Sequence, residues 1–217
     1  MQVLVTGSSR GIGLAAVQKF LDTGHIVHGI DILPASIEDK DYRHFIADVS
    51  NPSTLPTLPN IEILINNAGV QNTGVGDINT NLLGVIHVTE KYGLQPKIVS
   101  ILNIASASAH SGSEFPYYAA SKGGVLTYTK HVALEIAKYG AVCNSLSPGG
   151  VTTTLNTPVM TDPGKWGMIM DETLLRKWAS PEEIAEWVYF MTVVNKSMTA
   201  QDVLVDNGEM ANANFIW

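Results

Sequence analysis

Short runs of consecutive apolar residues alternate along the chain with stretches in which apolar residues recur every three or four positions. Residues 2–5 (QVLV) read as a first buried strand, followed by a glycine-rich turn. Leu14, Val17, Phe20 and Leu21 then share one face of a helix that Gly24 stops. Further strands are predicted over HIVHGID (25–31), RHFIADV (43–49), IEILINNAG (61–69), PKIVSILNIAS (96–106), GAVCNSLSPG (140–149) and DVLVDNG (202–208). Helices are predicted over 118–138 and 181–194, the second announced by Ser180, Pro181, Glu182 and Glu183. The strands are apolar at successive positions rather than at every second one, as expected of strands buried on both faces. Together these elements predict an α/β fold, a parallel sheet with helices on both sides. The segment SNPSTLPTLPN (50–60) carries three prolines, so at most one helical turn, starting at Pro52, fits there.

With 217 residues, 45% of them hydrophobic, the chain suffices for one large domain, and no linker-like stretch divides 1–217. A net charge of −7 without a run of Lys or Arg argues against nucleic acid or an anionic membrane surface as partner. No apolar run reaches membrane-spanning length, and the start MQVLVTGSSR has no basic segment, apolar stretch and cleavage site in succession. The single Cys143 cannot form an internal disulfide. These features predict a soluble cytoplasmic protein. Six histidines invite a metal search, but His25 and His28 have no cysteine or carboxylate at useful spacing, and no metal site is predicted. Ser106 with His110 does not amount to a hydrolase, because no G-x-S-x-G turn exists.

VLVTGSSRGIG places Gly7, Gly11 and Gly13 directly after a strand and before a helix. Gly7 permits a tight turn, Gly11 lets the backbone approach a pyrophosphate, and Gly13 lets the helix pack close to the sheet. The helix N-terminus then offers unsatisfied N–H groups to the anion. Asp31 ends the second strand, where a carboxylate accepts hydrogen bonds from both hydroxyls of an adenosine ribose and repels a 2′-phosphate. Arg10 pulls the other way, since a guanidinium pairs with that phosphate. The carboxylate inside the pocket outweighs it, and NAD is expected over NADP.

In PYYAASKGG (116–124), Tyr118 and Lys122 stand four residues apart, on one face of a helix; Tyr117 has only Ser121 at that offset. A tyrosine hydroxyl is a poor base near neutrality unless a nearby positive charge favours the phenolate. So tuned, it exchanges a proton with an alcohol or a carbonyl.

TGSSRGIG, NNAG, YAASK and SPGGVTT, in that order, resemble the motifs of the short-chain dehydrogenase/reductase family, and the likeness runs from Val3 to about Met210. The resemblance implies a single Rossmann-type domain with about seven parallel strands, and hydride transfer between NAD(P) and an alcohol or carbonyl. It implies that Tyr118 is the acid/base, that Lys122 binds the nicotinamide ribose, and that Ser106 hydrogen-bonds the substrate oxygen. Asn81 matches the asparagine that supports a proton-relay water. Gly7, Ser9, Arg10, Gly11, Ile12 and Gly13 fall on the pyrophosphate loop. Asp48 and Val49 flank the adenine, Asn67, Ala68 and Gly69 line the cofactor floor, and Pro148, Gly149, Val151 and Thr153 meet the nicotinamide end. Ala200 and Asn207 stand where glycines are usual in the last strand and its turn.

The chain is shorter than many family members: sixteen residues separate Asp48 from Leu64, and fourteen separate Asn67 from Asn81. The second cut shortens a helix used for subunit contacts in the family, which weakens the case for a tetramer; the expected assembly is a homodimer or homotetramer. Residues 154–178 are expected to form a lid, with Met160, Trp166, Met168, Ile169 and Met170 as an apolar surface. These residues either line the pocket or pack the lid against the domain; if they line the pocket, the substrate is a mostly apolar alcohol or ketone. Reduction of 3-oxoacyl thioesters, and a non-catalytic role as a cofactor-binding sensor or scaffold, are the competing readings.

Overall fold

The structure, a computed structural model, describes residues 1–113 and 115–211; residues 114 and 212–217 of the expected domain lie outside the described residues. Seven strands, β1 (Gln2–Thr6), β2 (Ile26–Asp31), β3 (Tyr42–Ile46), β4 (Ile63–Asn66), β5 (Ser100–Ile104), β6 (Val142–Pro148) and β7 (Asp202–Val205), pair in the order β3-β2-β1-β4-β5-β6-β7. Every pairing is parallel. The double burial is visible residue by residue. Val3, Val5, Ile63, Ile65 and Leu102 face the layer that holds Phe20, Ile184 and Val188. Leu4, Leu64 and Ile101 face the opposite layer, which holds Val88, Val132 and Ile136. The Gly11–Asp22 and Pro181–Tyr189 helices cover the first face, and the helices over 75–93 and Pro116–Ile136 cover the second.

Several predicted boundaries move. The strands expected over 43–49, 61–69 and 96–106 shrink to Tyr42–Ile46, Ile63–Asn66 and Ser100–Ile104, because the residues beyond each C-terminal end turn out of the sheet to build loops. β3 is an edge strand and only half covered, with Ile46 68% exposed, so the expectation of strands buried on both faces fails there. The helix expected over 118–138 starts at Pro116, where a proline at the first helical position costs nothing, and gives way after Ile136 to a 3-10 turn. The helix over 75–93, which the hydrophobic pattern did not predict, contains two π-helical stretches, Ile78–Leu83 and Thr89–Gly93. The capping box at Ser180 and Glu183 is present as expected, each side chain satisfying the other's backbone N–H.

The proline-rich segment makes one 3-10 turn, Pro52–Thr54, and then crosses the second face without regular secondary structure. It is strapped down by side chains of the 75–93 helix and its exit. Lys91 Nζ donates to the Leu55 carbonyl at 2.7 Å, Tyr92 Oη to that of Pro56 at 2.6 Å, and Gln95 Nε2 to that of Ile61 at 2.6 Å. Leu55 and Ile61 are buried beneath it. No helix among the described residues is long and apolar enough to cross a membrane.

Candidate active site

Strand order reverses between β1 and β4, and a parallel sheet opens a crevice at the C-terminal ends of its strands at such a point. The loops after β1 and β4 are locked together there. Thr6 Oγ1 accepts the N–H groups of Asn67 and Ala68, and Asn67 Nδ2 donates to the carbonyls of Thr6 and Gly7. Gly7 and Gly11 adopt left-handed conformations, φ +68° and +55°. Gly13 is required by space: a Cβ on it would fall on the Gly7 carbonyl oxygen and 2.6 Å from Asn67 Nδ2.

From this crevice a single cavity of about 310 Å³ runs along the C-terminal edge of the sheet. Its wall includes Gly7, Arg10, Gly11, Ile12, Asp31, Asp48, Val49, Asn67, Ala68, Gly69, Ser106, Tyr118, Lys122, Pro148, Gly149, Val151 and Thr153, residues expected from sequence to line one site. Asp31 has its carboxylate already oriented: Oδ2 accepts the Ser9 N–H and Oδ1 the Leu33 N–H, both at 3.0 Å. These features fit a dinucleotide, with a backbone cradle that side chains would fill at Gly7 and Gly11 and a fixed carboxylate at one end.

At the other end stand Ser106, Tyr118 and Lys122. Lys122 is 4% exposed; its Nζ donates to the Ile104 carbonyl at 2.8 Å and lies 5.8 Å from the centroid of the Tyr118 ring. Burial pushes its pKa down to about 8. Ser106 is buried at the end of β5, its Oγ 3.3 Å from Ser108 Oγ and accepting the Ser108 N–H at 3.2 Å.

Three further site residues stand behind the wall: Gly13 in the close-packing role expected of it, and Ser9 and Asn81. Ser9 spends its N–H on Asp31 and its hydroxyl on the Leu33 carbonyl, so it shapes the loop from beneath. Gly13 lies under Gly7, where its function is close packing. Asn81 is fully buried, its side chain exchanging hydrogen bonds with the backbone of Val70 at 2.8 and 2.9 Å and donating to Ser121 Oγ at 3.1 Å. Ser121 in turn donates to the Tyr118 carbonyl, so Asn81 is tied to the helix that carries Tyr118 and Lys122. A Cβ on Gly69 would sit 3.2 Å from Asn81 Oδ1 and 3.7 Å from Lys122 Nζ, which places both groups behind that glycine.

Of the two readings open for the apolar lid residues, the cavity wall does not support pocket lining. Met160, Trp166, Met168, Ile169 and Met170 do not line the cavity; Thr154, Leu155 and Asn156 do. Trp166 packs edge-on against Trp178 at 5.1 Å, and Trp178 lies against Gly150, where a Cβ would meet the indole. Trp166 is thus held by Trp178 outside the cavity, and Met168 is largely exposed. Tyr117 is 48% exposed at the helix start and outside the cavity wall. His87 escaped the sequence reading: its Nδ1 donates to the Val49 carbonyl at 3.1 Å, behind the wall. That bond spans thirty-eight positions, and no local spacing announces it.

The family model described as Enoyl-(Acyl carrier protein) reductase matches residues 7–209. The short chain dehydrogenase ausX of Penicillium brasilianum is 31% identical over an alignment of 244 residues that covers 94% of each chain. The 3-oxoacyl-[acyl-carrier-protein] reductase FabG of Chlamydia pneumoniae is 29% identical over 240 residues, covering 95% of this chain and 96% of that one. Among solved structures, 4-hydroxyisoleucine dehydrogenase complexed with NADH superposes with a TM-score of 0.88 at 26% identity, covering 98% of this chain and 99% of that one.

Proposed function

The chain belongs to the short-chain dehydrogenase/reductase family of NAD(P)-dependent oxidoreductases, and from that premise we propose that it interconverts a secondary alcohol and a ketone on a mostly apolar small molecule, with NAD as the preferred cofactor. The observation that carries the reading is that Ser106, Tyr118 and Lys122 share one cavity wall with the glycine loop and Asp31. Leu155 and Val151 give the catalytic end apolar surface, and Lys122 is the cation there among the described residues.

A bound nicotinamide supplies the hydride to a carbonyl carbon or withdraws it from an alcohol. In the reducing direction the Tyr118 hydroxyl gives its proton to the carbonyl oxygen; in the oxidising direction the phenolate takes the alcohol proton. The Lys122 ammonium, beside the ring, meets the negative charge that this leaves on the phenol oxygen. The Ser106 hydroxyl donates to the same substrate oxygen and stabilises the charge developing there. Gly7, Gly11 and Ile12 hold the pyrophosphate on backbone N–H groups, and Asp31 takes the adenosine ribose.

A second reading, reduction of a 3-oxoacyl thioester, is favoured by the 29% identity to the reductase FabG. The same three residues serve its ketone. A homodimer or homotetramer is part of the proposal; Trp187 and Phe190, 41% and 47% exposed and packed edge to face, offer an apolar face, and sedimentation counts the copies. The test of function is a panel of secondary alcohols, ketones and acetoacetyl-CoA assayed with NAD(H) and NADP(H). Turnover of apolar ketones with NADH supports the first reading, and turnover confined to acetoacetyl-CoA supports the second. Cofactor binding without turnover of anything would point to a sensor or scaffold and overturn both.

A further inference from the structure

Gly29 stands in the middle of β2, where glycine weakens a strand. Its reason is across the sheet: a Cβ there would fall on the Tyr42 hydroxyl and 2.5 Å from Ser8 Oγ. The missing side chain makes room for a hydrogen-bonded chain that joins the edge strand β3 to the glycine loop. Tyr42 Oη lies 3.2 Å from Ser8 Oγ and 2.9 Å from His44 Nδ1, and His44 Nε2 lies 2.8 Å from the Leu33 carbonyl. A carbonyl only accepts, so His44 Nε2 donates to Leu33. The Tyr42 hydroxyl donates to Ser8 Oγ and sits within hydrogen-bonding reach of His44 Nδ1, and Ser8 is 1% exposed.

The chain ends on the turn that holds Asp31. Leu33 gives its N–H to Asp31 Oδ1, and its carbonyl receives both His44 and the Ser9 hydroxyl. Ser9 gives its N–H to Asp31 Oδ2. Both oxygens of the carboxylate are thus aimed by backbone groups, one from each side, and His44 and Ser9 converge on the residue that aims one of them. Tyr42 and His44 stand outside the cavity wall, so whatever they do to a ligand they do through this turn.

We infer that Tyr42 and His44 are positioning residues that fix the 31–33 turn and thereby set the discrimination between NAD and NADP. The inference rests on the reading of Asp31 as the ribose-binding carboxylate. A carboxylate that must accept from two ribose hydroxyls depends on its orientation, whereas its repulsion of a 2′-phosphate depends mainly on its charge. Loosening the turn therefore costs NADH affinity and leaves NADPH affinity nearly where it was.

The test titrates NADH and NADPH by fluorescence on the full chain carrying His44→Leu, His44→Gln, Tyr42→Phe or Asp31→Ala. His44→Leu is expected to weaken NADH about fivefold to tenfold, the loss of one well-placed hydrogen bond, with NADPH changed by less than about twofold. His44→Gln keeps a donor for the Leu33 carbonyl and is expected to recover most of the NADH affinity. Tyr42→Phe, which leaves His44 without its partner, should move in the same direction by a smaller factor, and serves should His44→Leu fail to fold. An unchanged ratio of the two affinities in His44→Leu and Tyr42→Phe, or an equal loss for both cofactors, overturns the inference. An unchanged ratio in Asp31→Ala overturns the ribose assignment itself, whatever the other variants do.

Discussion

Lys122 Nζ donates to the carbonyl of Ile104, 2.8 Å away, and so ties the helix that carries Tyr118 to the strand end that carries Ser106. The lysine is thus a structural link between two candidate catalytic groups as well as a charge beside one of them. Four expectations follow from this site and from the backbone that supports it.

Tyr118→Phe removes the proton that the reaction exchanges while keeping the ring beside Lys122. Turnover of any accepted alcohol or ketone should fall about 10²- to 10⁴-fold, the range for losing a general acid/base. The affinity for NADH should stay within about threefold of the parent by fluorescence titration. Unimpaired turnover would remove Tyr118 from the mechanism.

The buried lysine makes stability depend on pH in a definite window. Lys122 titrates at about 8 in the folded protein, against roughly 10.4 in an unfolded chain. Between those values the unfolded state binds more protons, so stability rises with pH there. Relative to Lys122→Met, the parent should gain roughly 1.5 kcal/mol between pH 8 and pH 9.5 by urea denaturation of the cofactor-free protein. Burial pushes Tyr92 and Tyr128 up to about 12, which costs stability only above roughly pH 10, where an unfolded tyrosine ionises. Identical pH profiles for the two proteins would contradict the burial of a titrating lysine.

Gly13→Ala puts a methyl on the Gly7 carbonyl oxygen, a backbone atom with no room to retreat. The variant should lose roughly 2–3 kcal/mol, at the upper end for overpacking. NADH binding should weaken more than tenfold, because the displaced atoms belong to the cradle itself. Parent-like binding at parent-like stability would show that the loop tolerates the shift.

Ala200 is held at φ +60°, with its N–H donated to the Cys143 carbonyl at 2.7 Å. An L-residue pays roughly 1–2 kcal/mol in that region, of which glycine's extra chain entropy returns about half. Ala200→Gly should therefore stabilise by about 0.5–1 kcal/mol and raise Tm by about 2 °C in a scanning experiment. A lowered Tm would mean that the Ala200 methyl contributes more through packing than its backbone costs.

The sequence was most readable where the physics is local. Successive apolar residues such as Val3, Leu4 and Val5 mark a doubly buried strand, and Gly7, Gly11 and Gly13 announce the cradle, since a turn and a close approach each demand glycine. Ala200 and Asn207, noted from the family resemblance as replacements for glycines, both have positive φ, +60° and +55°. Legibility fails where a residue acts across distance. Asn81 reads as a site residue by motif, but that its amide bonds Val70 and Ser121, eleven and forty positions away, is visible only in the fold. Trp166 and Met168 could by composition line the pocket or pack the lid, and only the fold shows Trp166 against Trp178 and Met168 turned to the surface. Tyr42 and His44 gave no signal, because their partners at Ser8 and Leu33 lie in other elements, and Gly29 explains itself only once Tyr42 is in place.

The proline-rich strap has a consequence for how copies of this chain meet one another. Where a strand replaces a helix, its unpaired N–H and C=O groups form a ladder on which another chain can add, the usual route to aggregation. Here the covering chain forms no strand: Pro52, Pro56 and Pro59 have no N–H to offer, and the carbonyls of Leu55, Pro56 and Ile61 are already taken by Lys91, Tyr92 and Gln95. Shortening the chain at this point leaves a stretch that is poor as a template for β-pairing.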